Sequence, residues 1–257
     1  MTEATTARMN AGPLVVTGAS RGIGAATARA AARAGYAVCV NYRSSRDQAE
    51  AVVDEIARSG GRAIAVQADT AIEQGVIRLF ATVDRELGRL RALVNNAGTT
   101  GRTGRVAELD TATLREVLDI NVVGCFLCAR EAIGRMSSRT GGAGGAIVNV
   151  SSRAAVLGGA GEWVHYAASK AAIDIFTVGL AREVGAEGIR VNAVRPGLID
   201  TEIHAGAGAP DRLEKLIVNV PAGRIGTPDE VAATIVWLLS PQAAYVSGAL
   251  VDVSGAR

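Results

Sequence analysis

The chain has 257 residues, a length for one large domain or two small ones. Hydrophobic residues make up 49%, charged residues 20% and aromatic residues only 4%, so the composition is globular and the core aliphatic. A net charge of +2 gives no electrostatic case for nucleic-acid or membrane-surface partners. The opening MTEATTARMN has no apolar signal core, and no run of about 18 apolar residues offers a membrane span. The expected location is cytoplasmic, with reduced thiols. Of the three cysteines, Cys39 sits in an apolar run, and Cys125 and Cys128 form a C-x-x-C inside a helical pattern. No second cysteine pair or neighbouring histidine completes a zinc set, so all three read as small buried apolar residues.

In chain order, residues 1–12 read as a disordered tail rich in Thr and Ala. PLVVTGAS is a short strand running into a glycine turn, and GIGAATARAAARAG is a helix that Gly35 ends. YAVCVNYR is the second strand. DQAEAVVDEIARSGG is an amphipathic helix with Ala49, Val52, Val53 and Ile56 on one face. RAIAVQAD, a helix from IEQGVIRLFATVDRELG, and RALVNNAG follow. The region 109–136 is a long helix or two. RTGGAGG is a loop, AIVNVSS the fifth strand, and WVHYAASKAAIDIFTVGLAREVGAEG a long helix. IRVNAVRPG, a helix from PDEVAATIVWLLSP, and ALVDVSG complete the chain. Continuously apolar strands alternating with helices imply burial on both faces, hence a mostly parallel, doubly wound, seven-stranded α/β sheet of the Rossmann type. Nothing divides residues 13–257, so one domain is expected. Residues 198–220 break the alternation and read as a flap over a site.

Two features carry chemistry. In TGASRGIG, Gly18, Gly22 and Gly24 follow a strand and open a helix, the context in which backbone can approach a pyrophosphate at a helix N-terminus. The turn residues Ser20, Arg21 and Ile23 belong to the same expected cofactor site. At the end of the second strand, where an NAD-binding fold places an acid for the ribose, the chain reads VNYRSSR. Asn41 stands there with no carboxylate, while Arg43, Ser44 and Arg21 are close enough to meet a 2′-phosphate. NADP is therefore preferred over NAD. The second feature is GEWVHYAASK, with Tyr166 four residues before Lys170. On a helix the two share a face, and a lysine among small apolar residues needs a partner or a purpose.

TGASRGIG, NNAG at 95–98, Asn121, a serine after AIVNV, YAASK and RPG, in that order, resemble the short-chain dehydrogenase/reductase family. The resemblance spans nearly the whole domain and lies with its compact single-domain, sugar-dehydrogenase-like and ketoacyl-reductase-like members. It implies that Tyr166 is the general acid in carbonyl reduction or the base in alcohol oxidation. A tyrosine ordinarily titrates near ~10, and a cation one turn away lowers that value. Lys170 is that cation and, in the family, also holds the nicotinamide ribose. Asn121 is expected to support a helix kink and a water that relays protons toward Lys170. A serine stabilises charge on the substrate oxygen. Most of the family places it 13 residues before the tyrosine, but here that position is Arg153. Ser152, one residue earlier, is on the strand face of Val148 and Val150, opposite Ser151, and is the expected catalytic serine.

The resemblance also assigns cofactor contacts to Asp69 and Thr70, to Asn95, Ala97 and Gly98, and to Pro196, Gly197, Ile199 and Thr201. For Asn95 a purely structural, strand-tying role competes evenly. The expected function is an NADP-dependent oxidoreductase working on a small-molecule carbonyl or secondary alcohol. The alternatives are an NAD-dependent sugar or cyclic-alcohol dehydrogenase and a non-catalytic NADP sensor. Family members are commonly homotetramers built through helices 109–136 and 163–187 and the last strand. The Ala168, Ala172 and Ile175 face suits such packing and equally suits packing on the sheet. Trp163 is a candidate for the pocket mouth or for a subunit contact, and His165, beside the tyrosine, and His204, in the flap, are each a substrate contact or a bystander. Arg102 and Arg105 read as solvated loop charge.

Overall fold

A computed structural model describes residues 11–201 and 216–257. Seven strands form one sheet: β1 (Gly12–Val16), β2 (Tyr36–Tyr42), β3 (Arg62–Gln67), β4 (Ala92–Asn95), β5 (Gly145–Val150), β6 (Ile189–Pro196) and β7 (Leu250–Val253). Their order is β3-β2-β1-β4-β5-β6-β7. Every pairing is parallel.

The inner strands are buried on both faces because helices cover both, while the edge strands β3 and β7 are only partly covered. On β1, Leu14 and Val16 enter one core cluster and Val15 the other, as the two-residue period of a strand requires. The first cluster takes its helical partners from α1 (Gly22–Arg33), α2 (Arg46–Arg58) and a late helix, α8 (Pro228–Leu239). The second takes them from α3 (Glu73–Glu86), α5 (Gly124–Met136) and α7 (Val164–Val184). Fully buried side chains such as Leu14, Leu79, Phe80 and Ile147 each contribute roughly 1.5–3 kcal/mol.

Strand order reverses between β2-β1 and β4-β5, where Val16 pairs with both Val40 and Val94. Outside the carboxyl ends of the strands at such a switch point a crevice opens, and this is where the fold positions its site.

The structure refines several expectations. β1 begins at Gly12, and Ala11 N already donates to Gly35 O at 3.2 Å, so two residues assigned to the tail belong to the folded unit. The rest of that tail lies outside the described residues. So does most of the flap, with His204. Its ends are described: Leu198 and Ile199 are buried, and Ile217–Asn219 forms a 3₁₀ turn. The region 109–136 is two helices, α4 (Thr111–Leu118) and α5, joined by a π-helical turn, Asp119–Val123, that contains Asn121. A short helix, α6 (Ala154–Leu157), occupies what the sequence reads as loop. On α7, Ala168 and Ala172 are exposed and Ile175 is 74% exposed, so this face turns away from the sheet. No helix of the described residues is long and apolar enough to cross a membrane.

Candidate active site

The crevice is a cleft of about 800 Å³ along the carboxyl edge of the sheet. Its floor at one end is the glycine turn between β1 and α1. A Cβ on Gly18 would lie 2.9 Å from Ala97 Cα, and Gly18 and Gly22 both have positive φ, at 60° and 54°. The turn therefore lies flat against the β4 loop, a shape that side chains would break. Arg21, at the N-cap of α1, makes no capping side-chain hydrogen bond. The first N–H groups of the helix thus face the cleft uncapped by a side chain, with the positive end of the helix dipole behind them. Ser20, Arg21, Gly22 and Ile23 line this end, with Arg43, Ser44, Asp69 and Thr70 beside them.

Three expected contacts take different places. Gly24 does not line the cleft. A Cβ there would meet Gly18 O and Asn96 Nδ2, both at 2.5 Å, so this glycine lets α1 pack on its own turn. Asn41 borders the cleft, but its amide is committed to backbone. Its Oδ1 accepts from Gly18 N at 3.2 Å, and its Nδ2 donates to Ala68 O at 3.0 Å and Val66 O at 3.3 Å. Asn95 faces the core instead. It shares the parity of Leu93 on β4, and its Nδ2 donates to Asn149 Oδ1 at 3.0 Å beneath α5. Asn149 Nδ2 continues to Thr177 Oγ1 at 2.9 Å on α7, so the strand-tying role of Asn95 prevails. The asparagine on the cleft is its neighbour Asn96, whose Nδ2 donates to Thr17 O at 2.8 Å and Gly18 O at 2.9 Å. The sequence offers one signal for Asn96: the two-residue period of a strand puts it on the face opposite Asn95.

Further along, Ala97, Gly98, Ser151, Ser152, Tyr166, Lys170, Pro196, Gly197, Ile199 and Thr201 line the cleft together. Lys170 Nζ is buried, donates to Val150 O at 2.8 Å and lies 5.7 Å from the centre of the Tyr166 ring. Burial pushes its ammonium down to about 8, while the neighbouring Cys125 and Asp174 pull it back up. Gly98 permits close passage of the β4 loop, because a Cβ there would sit 3.2 Å from Asn121 Oδ1 and 3.4 Å from Lys170 Nζ.

The two serines separate. Ser151 is buried, and its Oγ donates to Lys170 O at 3.1 Å, tying β5 to α7. Ser152, partly exposed on the cleft, accepts the local N–H of Ala154 at 3.1 Å. Asn121 lies just behind the cleft. Its Nδ2 donates to Thr99 O and Ser169 Oγ, both at 2.9 Å, and Oδ1 accepts from Thr99 N at 2.8 Å. Ser169 Oγ in turn donates to Tyr166 O at 2.7 Å, so the π turn and the start of α7 are held in one network.

The outer wall includes Leu157, Trp163, Leu198 and Leu216, with Arg153 and Arg257. Trp163 is buried on that wall rather than at a surface. His165 turns inward, and its Nε2 is 3.0 Å from Thr100 O, which fastens the β4 loop to α7. Arg102 and Arg105 are exposed and off the cleft. Cys39, Cys125 and Cys128 are free and buried, and burial raises each thiol, Cys125 to about 12. Among the described residues no group of three His, Cys, Asp or Glu side chains is arranged for a metal.

Known proteins place this arrangement. Residues 18–255 match the profile of a family described as enoyl-(acyl carrier protein) reductase. The uncharacterized oxidoreductase YgfF of Escherichia coli (strain K12) is 50% identical over 243 residues, covering 95% of this chain and 98% of that one. A 7α-hydroxysteroid dehydrogenase solved with NADH and 7-oxo glycochenodeoxycholic acid superposes with a TM-score of 0.89 at 33% identity, covering 96% and 94% of the two chains. A short chain dehydrogenase from Burkholderia cenocepacia J2315 in complex with NADP gives a TM-score of 0.88 at 34% identity over 96% and 98%. With the ordered motifs and the all-parallel sheet, these matches show that the chain belongs to the short-chain dehydrogenase/reductase family of oxidoreductases.

Proposed function

We propose that the chain is an NADP-dependent oxidoreductase that interconverts a carbonyl and a secondary alcohol, with Tyr166 as the proton donor or acceptor. The observation that carries this reading is the burial of Lys170 on the cleft wall, one turn from Tyr166, with Ser152 on the same cleft. A dinucleotide fits what is present. The flattened glycine turn and the uncapped start of α1 would take the pyrophosphate. Asp69, Thr70 and Ala97 would line the adenosine half, and Pro196, Gly197, Ile199 and Thr201 the nicotinamide half. The cofactor supplies the hydride, and the chain fixes geometry and handles the proton. Ser152 Oγ would hold the substrate oxygen and Tyr166 would exchange its proton. Lys170 would stabilise the phenolate and grip the ribose. Asn121 would support the proton path through an interior cavity of about 10 Å³ that it lines with Lys170, room for about one water.

The preference for NADP rests on the β2 end. Asn41 is no carboxylate and its amide is bonded to backbone, and Arg43 stands on the cleft, exposed, with Glu116 4.0 Å away as a loose partner. Arg21 flanks it. The same reading includes self-association through the exposed face of α7, where Ile175 lies, and through Phe126 of α5.

The test is a titration with NADPH and, separately, NADH, followed by nicotinamide fluorescence. NADPH is expected to bind more tightly, and Arg43→Ala to weaken it about 10–100-fold while leaving NADH nearly unchanged. Turnover of an activated ketone with NADPH, lost in Tyr166→Phe without loss of NADPH binding, separates catalysis from mere sensing. Equal binding of the two cofactors removes the NADP preference, and binding of neither removes the function.

A further inference from the structure

Behind the cleft, charged side chains alternate in sign. Arg153, the residue after Ser152, places Nη1 2.6 Å from Asp252 Oδ2. Asp252 lies opposite Arg195 across β6 and β7, with Oδ1 3.7 Å from Arg195 Nη1. Arg195 Nε donates to Asp174 Oδ2 at 3.0 Å. Asp174 lies four residues after Lys170 on α7, on the same helical face. The outer end of this series meets water, since the Asp252 side chain is 42% exposed, whereas that of Asp174 is 7% exposed. At the inner end Asp174 Oδ1 is buried with no hydrogen-bond partner among the described residues. An interior carboxylate oxygen without a donor is costly, and so is an interior ammonium that donates to the carbonyl of Val150. The two buried groups share one face of α7, one turn apart.

We propose that Asp174, clamped by Arg195, is the interior counter-charge that keeps Lys170 protonated, and is thereby a positioning residue for the proton chemistry at Tyr166. The counter-charge rests on the burial of both groups, their spacing on α7 and the Arg195 clamp; its link to Tyr166 rests on the function proposed above. The titratable groups that face Lys170 among the described residues are Tyr166 and Asp174 from α7 and Cys125 from α5. The Cys125 thiol, pushed up to about 12, is neutral where the lysine changes charge, so Asp174 supplies the negative charge. Asp174 in turn faces Arg195 from β6, with Asp252 from β7 and Arg153 beyond it. A carboxylate that merely joined α7 to β6 would matter for stability and leave the lysine's titration alone.

The composition makes this measurable. The chain holds 25 arginines and only two lysines, Lys170 and Lys215. Lysine labelled with ¹³C at Cε therefore gives two resonances from the ligand-free full chain, and Lys170→Met assigns them. In Asp174→Asn the Lys170 midpoint is expected to fall by about one pH unit or more. In Arg195→Gln it is expected to rise, because a cation is removed from beside the same carboxylate. A folded Asp174→Asn with an unchanged midpoint, or variants that shift it in the same direction, overturns the proposal. Should Asp174→Asn fail to fold, Arg195→Gln decides alone: a raised midpoint supports the proposal and an unchanged or lowered one overturns it. The alkaline limb of kcat against pH is then recorded for the same variants. A limb that follows the resonance supports the positioning role. A limb that stays while the resonance moves overturns that role and the reading of Lys170 behind it, leaving the counter-charge itself in place.

Discussion

Ser151 and Ser152 are adjacent and chemically identical, yet the backbone gives them different work. Parity on β5 sends Ser151 toward α7, where its hydroxyl holds the Lys170 carbonyl, and leaves Ser152 on the cleft. Ser152→Ala is expected to lower kcat for an activated ketone by about 10²–10³-fold with the melting temperature unchanged, as for loss of one donor to a developing oxyanion. Ser151→Ala is expected to behave oppositely. It loses about 1 kcal/mol of stability and keeps kcat within a few-fold. Steady-state rates and melting curves of the two variants check both halves, and a reversed pattern would exchange the roles. The same parity rule, applied to β4, places Asn95 with Leu93 on the core side. There the family motif points to the cofactor, while strand geometry turns the side chain toward Asn149 and the core.

At the level of elements, the apolar runs were legible in order because the inner strands are buried on both faces, the edge strands β3 and β7 are only partly exposed, and each helix has a face to bury. The π turn at Asn121 and the four-residue α6 were not. For the first, the sequence reading allows two helices and the family resemblance implies a kink at Asn121, but the π form, where Asn121 bonds Thr99 and Ser169, is not written in the local pattern. The second sits before Gly158, Gly159 and Gly161, all at positive φ, which in sequence read only as loop. Whether Arg153 would hold Asp252 or a substrate also lay beyond sequence, because the answer depends on a strand a hundred residues away. Glycines within helices show the same dependence on context. Gly24→Ala is expected to push α1 off its turn, where the added methyl would meet Gly18 O at 2.5 Å. The expected loss is about 2–3 kcal/mol, with weaker NADPH binding. Gly134→Ala on α5, with nothing within 4 Å of the added methyl, is expected to gain up to about 1 kcal/mol. Urea unfolding of the pair tests this contrast.

For the molecule as a whole, nearly all positive charge is arginine, and the lysine at 170 stands apart. An ammonium is compact and its protonation responds to burial, whereas a guanidinium remains charged. That choice bears on global stability. Lys170 titrates at about 8 in the folded chain, below its ordinary 10.5, so the unfolded state binds more protons between those values. This group's contribution to stability therefore rises with pH across that window and is most unfavourable below it. Lys170→Met is expected to stabilise the ligand-free protein at pH 7 by about 2 kcal/mol, after allowing for the lost hydrogen bond to Val150. The gain should shrink as the pH is raised toward 10, which denaturant midpoints at several pH values will show. The strand order has a further consequence, in time rather than in space. β1 is flanked by β2 and β4, and Thr17, just past its end, meets Val94 across 77 positions of chain. During synthesis β1 thus waits, one edge unpaired, for several seconds at 5–20 residues per second. The interval before β4 arrives is the nascent chain's greatest exposure to mispairing, and the place where a holding chaperone would matter most.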